Sequence, residues 1–286
     1  IMSLLVSALY NIVDQIFIGR GIGFLGNGAT NVVFPVTVIA LSLSLLVGDG
    51  CAAYLSICQG RRDGEHAHRS VGNAVVFITA SGIVLTLLYA FFRDSILWGF
   101  GATENNIGYA REYFLYLIPG IPFFMFANAM NSVIRADGSP QFAMFSTLIG
   151  CALNVVLDPV AIFVLGWGMK GAALATITSQ LLSAVLVVLA LMKTDDMYKL
   201  EWKKVRIDQR MLQRIVRIGI PAGMQSVMYN ISNVIIQAGV NTLGTDNVTA
   251  WATYGKVDGL YWMMINALGI SVTTFVGQNF GAGRLD

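Results

Sequence analysis

Three polar side chains stand where only apolar ones are cheap. Asn154 and Asp158 interrupt the run Leu153-Asn154-Val155-Val156-Leu157-Asp158-Pro159, and Asp14 lies midway along the apolar stretch that opens the chain. Asn154 and Asp158 are four residues apart, so a helix puts them on one face, one turn above the other. An ionised side chain at the bilayer centre costs roughly 2.5–3.5 kcal/mol on insertion scales, so such groups face a bundle interior or a wet cavity and mark functional sites. Two carboxylates and an amide in a low-dielectric site have two stable arrangements. They hold a hard cation between their oxygens, or one acid keeps its proton because burial disfavours the charged form. Either arrangement makes an ion or proton switch. The competing reading is an aspartate neutralised by a hydrogen bond between helices.

The elements that position these groups are membrane helices. Of the 286 residues, 56% are hydrophobic and 12% charged, with a mean hydropathy of +0.67; a soluble domain carries roughly 25% charged residues. A net charge of +2 is too small to argue for nucleic acid, and the basic residues are not spread evenly enough to form one recognition face. Cys51, Cys58 and Cys151 lie in apolar segments with no metal-ligand spacing, so neither a disulfide framework nor a zinc site is supported. No cofactor is expected. Because Ile1 falls inside an apolar run, the sequence reads as a fragment lacking its true start.

Apolar windows long enough for a hydrocarbon core of about 30 Å recur along the chain. They predict eight spans, at 1–18, 31–57, 71–92, 109–134, 141–165, 171–192, 219–243 and 248–280, with Pro119 and Pro122 expected to kink the fourth. Most of the 18 basic residues fall in the loops after even-numbered spans, among them Arg61, Arg62, Arg69 and Arg135. The Lys/Arg bias makes those loops, and the N-terminus, cytoplasmic. Residues 193–217 form the only long hydrophilic stretch and are expected to be a cytoplasmic linker between an N-lobe (1–192) and a partial C-lobe (218–286). Its end is amphipathic: Arg210, Gln213, Arg214 and Arg217 share one helical face, while Met211, Leu212, Ile215 and Val216 share the other. An interfacial helix or a plain juxtamembrane charge run both fit.

The two parts repeat one another. Tyr10-Asn11-Ile12-Val13-Asp14-Gln15-Ile16 aligns with Tyr229-Asn230-Ile231-Ser232-Asn233-Val234-Ile235, and Gly60-Arg61-Arg62-Asp63 aligns with Gly283-Arg284-Leu285-Asp286. Six spans separate the copies, so the repeat is parallel, with its axis along the membrane normal. The residue matching Asp14 is Asn233, so the copies share a scaffold and differ in charge.

Other polar groups have ordinary explanations. Thr176, in Gly171-Ala172-Ala173-Leu174-Ala175-Thr176, reads by itself as a hydroxyl on a closely packed helix. Asn128, Asn131, Gln180, Gln225, Asn230, Asn233 and Gln237 either line a cavity or bond between helices. Tyr261-Trp262-Met263-Met264 suits an adaptable apolar wall, or packing and lipid contact.

Four stretches together resemble one known family. They are Tyr10 to Arg20, Arg135-Ala136-Asp137-Gly138-Ser139-Pro140, Leu153 to Pro159, and Val276-Gly277-Gln278-Asn279-Phe280-Gly281-Ala282-Gly283. In order and spacing they are similar to the multidrug and toxic compound extrusion (MATE) transporters, over the whole chain. The resemblance implies an all-α integral membrane protein of two pseudo-symmetric six-helix lobes, here the first lobe and the opening two helices of the second. It also implies export of amphipathic, often cationic, organic compounds in exchange for Na⁺ or H⁺. The family's ion site maps onto Asp14, Asn154, Asp158 and Thr176. Tyr10, Gln225, Tyr229 and Met263 are expected to line the substrate cavity. One branch of the family carries a glutamate in the first C-lobe helix, yet residues 221–241 here contain no acid.

The expected protein is thus a monomeric, multi-pass antiporter of a prokaryotic plasma membrane, and not an enzyme. Two alternatives remain from the residues. A lipid-linked saccharide flippase on the same scaffold would need basic residues in its cavity, and the spans hold almost none. An intramembrane aspartyl protease could use Asp14 and Asp158 as its dyad, but the Gly-x-Gly-Asp context is missing; Gly48-Asp49-Gly50 is the nearest look-alike and lies elsewhere.

Overall fold

The computed structural model of the chain describes residues 2–194, 196, 199–200, 207–241 and 245–284; for 2–9 and scattered positions of the last two helices, including Asn230, Lys256 and Met263, the description is of the backbone alone. Among the described residues every regular element is helical. In chain order these are α1 (Met2–Gly21), α2 (Phe24–Arg61), α3 (Gly64–Phe91), α4 (Arg93–Gly99), α5 (Ile107–Leu117), α6 (Ile121–Ala136), α7 (Pro140–Pro159), α8 (Gly168–Lys193), α9 (Gln209–Asn241) and α10 (Thr245–Gly281). Among the described residues, five stretches are long and apolar enough to cross a membrane: Phe24–Arg61, Gly64–Phe91, Ile107–Ala136, Pro140–Val164 and Gly168–Lys193. Helices α1, α9 and α10 occupy the three other predicted spans. Large apolar side chains such as Phe34, Val84, Phe91, Phe145 and Val156 point outward. That is the reverse of a water-soluble fold and suits contact with lipid. The chain is an all-α, multi-pass membrane protein.

Local chemistry explains the breaks. Helix α2 ends with Arg62 in the left-handed region at φ 57°, where Arg62 N–H and Asp63 N–H return to the carbonyls of Gln59 (3.0 Å) and Cys58 (2.9 Å). Asp63 then caps α3 by accepting the His66 N–H at 3.2 Å. The fourth predicted span is interrupted where its prolines fall: a 3₁₀ turn, Ile118–Gly120, joins α5 to α6, with a proline near the start of each piece. After Pro159, which has no N–H to give, α7 runs into a π-helical turn, Val160–Val164.

Helix α2 is the hub, packed on α3, α5, α6, α9 and α10. Its approach to α9 is a glycine crossing. A Cβ on Gly50 would collide with the Ile215 carbonyl oxygen, and one on Gly219 with the Leu46 carbonyl oxygen. The two backbones therefore touch, as small residues allow in membrane bundles.

The amphipathic stretch 210–217 belongs to the first turns of α9, continuous with the seventh predicted span rather than a separate interfacial helix. Its apolar face is buried through Met211 and Ile215, and Arg214 reaches the Tyr54 hydroxyl of α2 at 3.3 Å. Asp208 starts the helix by accepting the N–H groups of Arg210 (2.9 Å) and Met211 (3.3 Å). The linker also touches α3, where Asn73 Oδ1 accepts the Asp208 N–H at 2.9 Å.

Candidate functional site: a buried carboxyl pair

Helical periodicity places Asn154 and Asp158 on the inward face of α7, where they are 1% and 0% exposed. Helix α1 packs along α7 and turns Asp14 toward them; α8 contributes Thr176 from the other side. The carboxyl groups of Asp14 and Asp158 come within hydrogen-bond reach of each other. Asn154 Nδ2 lies 3.4 Å from Asp158 Oδ1 and 3.5 Å from the Thr176 hydroxyl. Turning the amide over lets its nitrogen donate to Asp158 Oδ2 at 2.8 Å while its oxygen accepts the Thr176 N–H at 3.3 Å. Thr176 Oγ1 donates to the Ala172 carbonyl at 2.9 Å, leaving its lone pairs turned to the site.

The four residues assigned to the ion site in the sequence thus converge from three helices. Asp14 Oδ1 is buried without a hydrogen-bond partner. A buried acceptor left open in this way costs roughly 1–3 kcal/mol unless a cation or a proton satisfies it.

Two phenols close the site. Tyr10 of α1 and Tyr113 of α5 are the phenols whose surroundings include both acids, and Tyr113 also neighbours Thr176. Tyr113 escaped the sequence reading because, between Ala110 and Phe114, it looks like one more core aromatic. Its signal was a phenol inside a span, which needs a hydrogen-bond partner there.

Two of the other assigned residues do not join this cluster. Gln225 and Tyr229 occupy the exposed side of α9, where the Tyr229 ring meets Trp262 edge-on at 5.0 Å. The Met263 side chain lies outside the described residues. An open groove of about 680 Å³ runs along α1, lined by Asn11, Gln15, Arg20 and Asn27 with apolar neighbours. Asp49 lies elsewhere, near Ser132 and Arg135 of α6.

A family model described as MatE matches residues 1–160 and 221–286. The probable multidrug resistance protein YoeA of Bacillus subtilis (strain 168) is 24% identical over 295 residues, covering 100% of this chain and 63% of its own length. The multidrug export protein MepA of Staphylococcus aureus (strain N315) is 25% identical, covering 98% of this chain and 62% of its own. A solved structure, the outward-facing conformation of a multidrug resistance MATE family transporter of the MOP superfamily, superimposes with a TM-score of 0.91 at 25% identity. It covers 99% of this chain, which spans 63% of that protein.

Proposed function

Because this chain belongs to the MatE family, we propose that it forms the ion-binding part of an antiporter that exports amphipathic, often cationic, organic compounds. The coupling ion is Na⁺ or H⁺, taken up by Asp14, Asn154, Asp158 and Thr176. The observation that carries this reading is the orphaned Asp14 Oδ1, set against a second carboxyl group in a buried pocket. Two ionised carboxylates repel each other strongly at low dielectric. A single Na⁺ between them, or one shared proton, removes the repulsion. Oxygen donors from carboxylates, an amide and a hydroxyl suit a hard monovalent cation and serve a proton equally.

Coupling follows from that charge balance. With the site empty, its two negative charges favour an arrangement in which α1 and α7 move apart or admit water. With the ion bound, the helices close around it. A potential of about 100 mV adds roughly 2.3 kcal/mol per charge moved, enough to drive the cycle in one direction. The basic loops face the cytoplasm of a prokaryotic cell in this scheme, and the carrier works as a monomer. Cations for a pyrophosphate-bearing lipid are scarce, since the spans hold almost no basic residues. That disfavours a saccharide flippase.

The test is efflux of a fluorescent organic cation from proteoliposomes holding the full-length protein, with sodium and pH gradients imposed separately. Efflux driven by one gradient and not the other identifies the ion. Equal efflux with neither gradient would defeat the proposal.

A further inference from the structure

We propose that Gln59 and Gln278 form a latch closing the basic end of the bundle, which has to part for the carrier to open on that side; this rests on the transport reading above. Helices α2 and α10 cross near their C-terminal ends. A Cβ on Gly60 would strike the Gln278 carbonyl oxygen, one on Gly281 the Ile57 carbonyl oxygen, and one on Gly277 would lie 2.8 Å from Ser56 Cβ. Backbone on backbone at this spacing leaves no passage for water, and Ser56 beneath it is fully buried.

The Gln59 amide spans the crossing. Its Nε2 donates to Asp137 Oδ1 in the turn between α6 and α7, and its Oε1 accepts from Gln278 Nε2 at 2.9 Å. This orientation is unique. Turning the amide over would set its oxygen against a carboxylate and its NH₂ against the Gln278 NH₂. A carboxylate on one half of the molecule therefore orients an amide that bonds the other half. Among the described residues, a hydrogen bond and close glycine contacts mark the seam. Such a seam can separate and re-form without leaving an apolar hole, as a gate used in every cycle must.

The latch is read by labelling Ser56→Cys with a membrane-impermeant maleimide applied to the basic face in inside-out vesicles, in a background with Cys51, Cys58 and Cys151 changed to Ala. Losing the one hydrogen bond that crosses the seam, in Gln59→Ala or Gln278→Ala, is expected to speed labelling about fivefold. Gly60→Ala, which forces the crossing apart, should speed it further, and Gly64→Ala, whose new methyl meets nothing within 4 Å, should leave it unchanged. Parent-like labelling in both Gln278→Ala and Gly60→Ala overturns the latch. Labelling needs no transport, so this outcome is separate from failure of the antiport reading. In a transporting protein, oxidising a Gln59→Cys/Gln278→Cys pair should stop efflux and reduction should restore it. Undiminished efflux by the disulfide-linked protein would also overturn the latch.

Discussion

Asp14 of α1 and Asp158 of α7 hold their carboxyl groups within hydrogen-bond reach of each other, although they belong to the first and fifth predicted spans. Asn154, Thr176, Tyr10 and Tyr113 surround the pair, so its protonation and ion occupancy are set inside the bundle.

Asp14→Asn and Asp158→Asn should each abolish gradient-driven efflux while the protein still inserts and stays folded. An amide in place of one acid removes the charge that the ion neutralises and keeps the shape. Efflux assayed beside expression level and thermal denaturation checks this. Wild-type efflux from both variants would remove the carboxyl pair from the mechanism.

Tyr113→Phe removes the phenol hydroxyl that stands near Thr176 and the two acids and leaves the ring in the core. The expected effect is about a fivefold rise in the ion concentration needed for half-maximal efflux, the size of one net hydrogen bond. The maximal rate should be little changed. An unaltered ion dependence would make Tyr113 a packing residue only.

Gly219→Ala drives a methyl group into the Leu46 carbonyl of α2. Overpacking of this kind costs about 1–3 kcal/mol, seen as a lower denaturation midpoint in detergent. Gly108→Ala, where the methyl meets nothing within 4 Å, should be neutral or stabilise by up to about 1 kcal/mol. Equal midpoints for the two variants would contradict the glycine crossing.

Asp63 caps α3, and the His66 N–H and ring beside it hold its carboxyl below the usual carboxylate range. A depressed folded-state pKa stabilises above the unfolded value of about 3.9 and loses that contribution as pH falls through the folded value. Asp63→Ala should therefore cost about 0.5–1 kcal/mol near neutral pH. The difference from wild type should shrink below about pH 4. Denaturation midpoints of both proteins across that range give the answer.

Much of this was legible in one dimension. Hydropathy placed the spans, Pro119 and Pro122 marked the break between α5 and α6, and the four-residue spacing of Asn154 and Asp158 put both on one face of α7. Thr176 was different: its spacing fits simple helix packing, and only the family resemblance singled it out. The amphipathic end of the linker was ambiguous because a helix lying on the membrane and one packed on α2 need the same apolar stripe.

By itself, then, the sequence determined which segments are helical, which carry charge into the apolar region, and which residues share a face. Those follow from local geometry and from the cost of burying polar groups. Residue types and spacing left open whether Asp14 meets Asp158, which the family resemblance alone suggested; the tertiary structure brought them together, set Tyr113 near Thr176 and joined Asp137 to Gln278 through Gln59. The reason is physical. In a membrane, lipid and protein interior are equally apolar, so hydrophobicity does not say which face of a helix meets its neighbour. Close backbone crossings such as Gly50 with Gly219 settle that, and they exist only once the helices have packed.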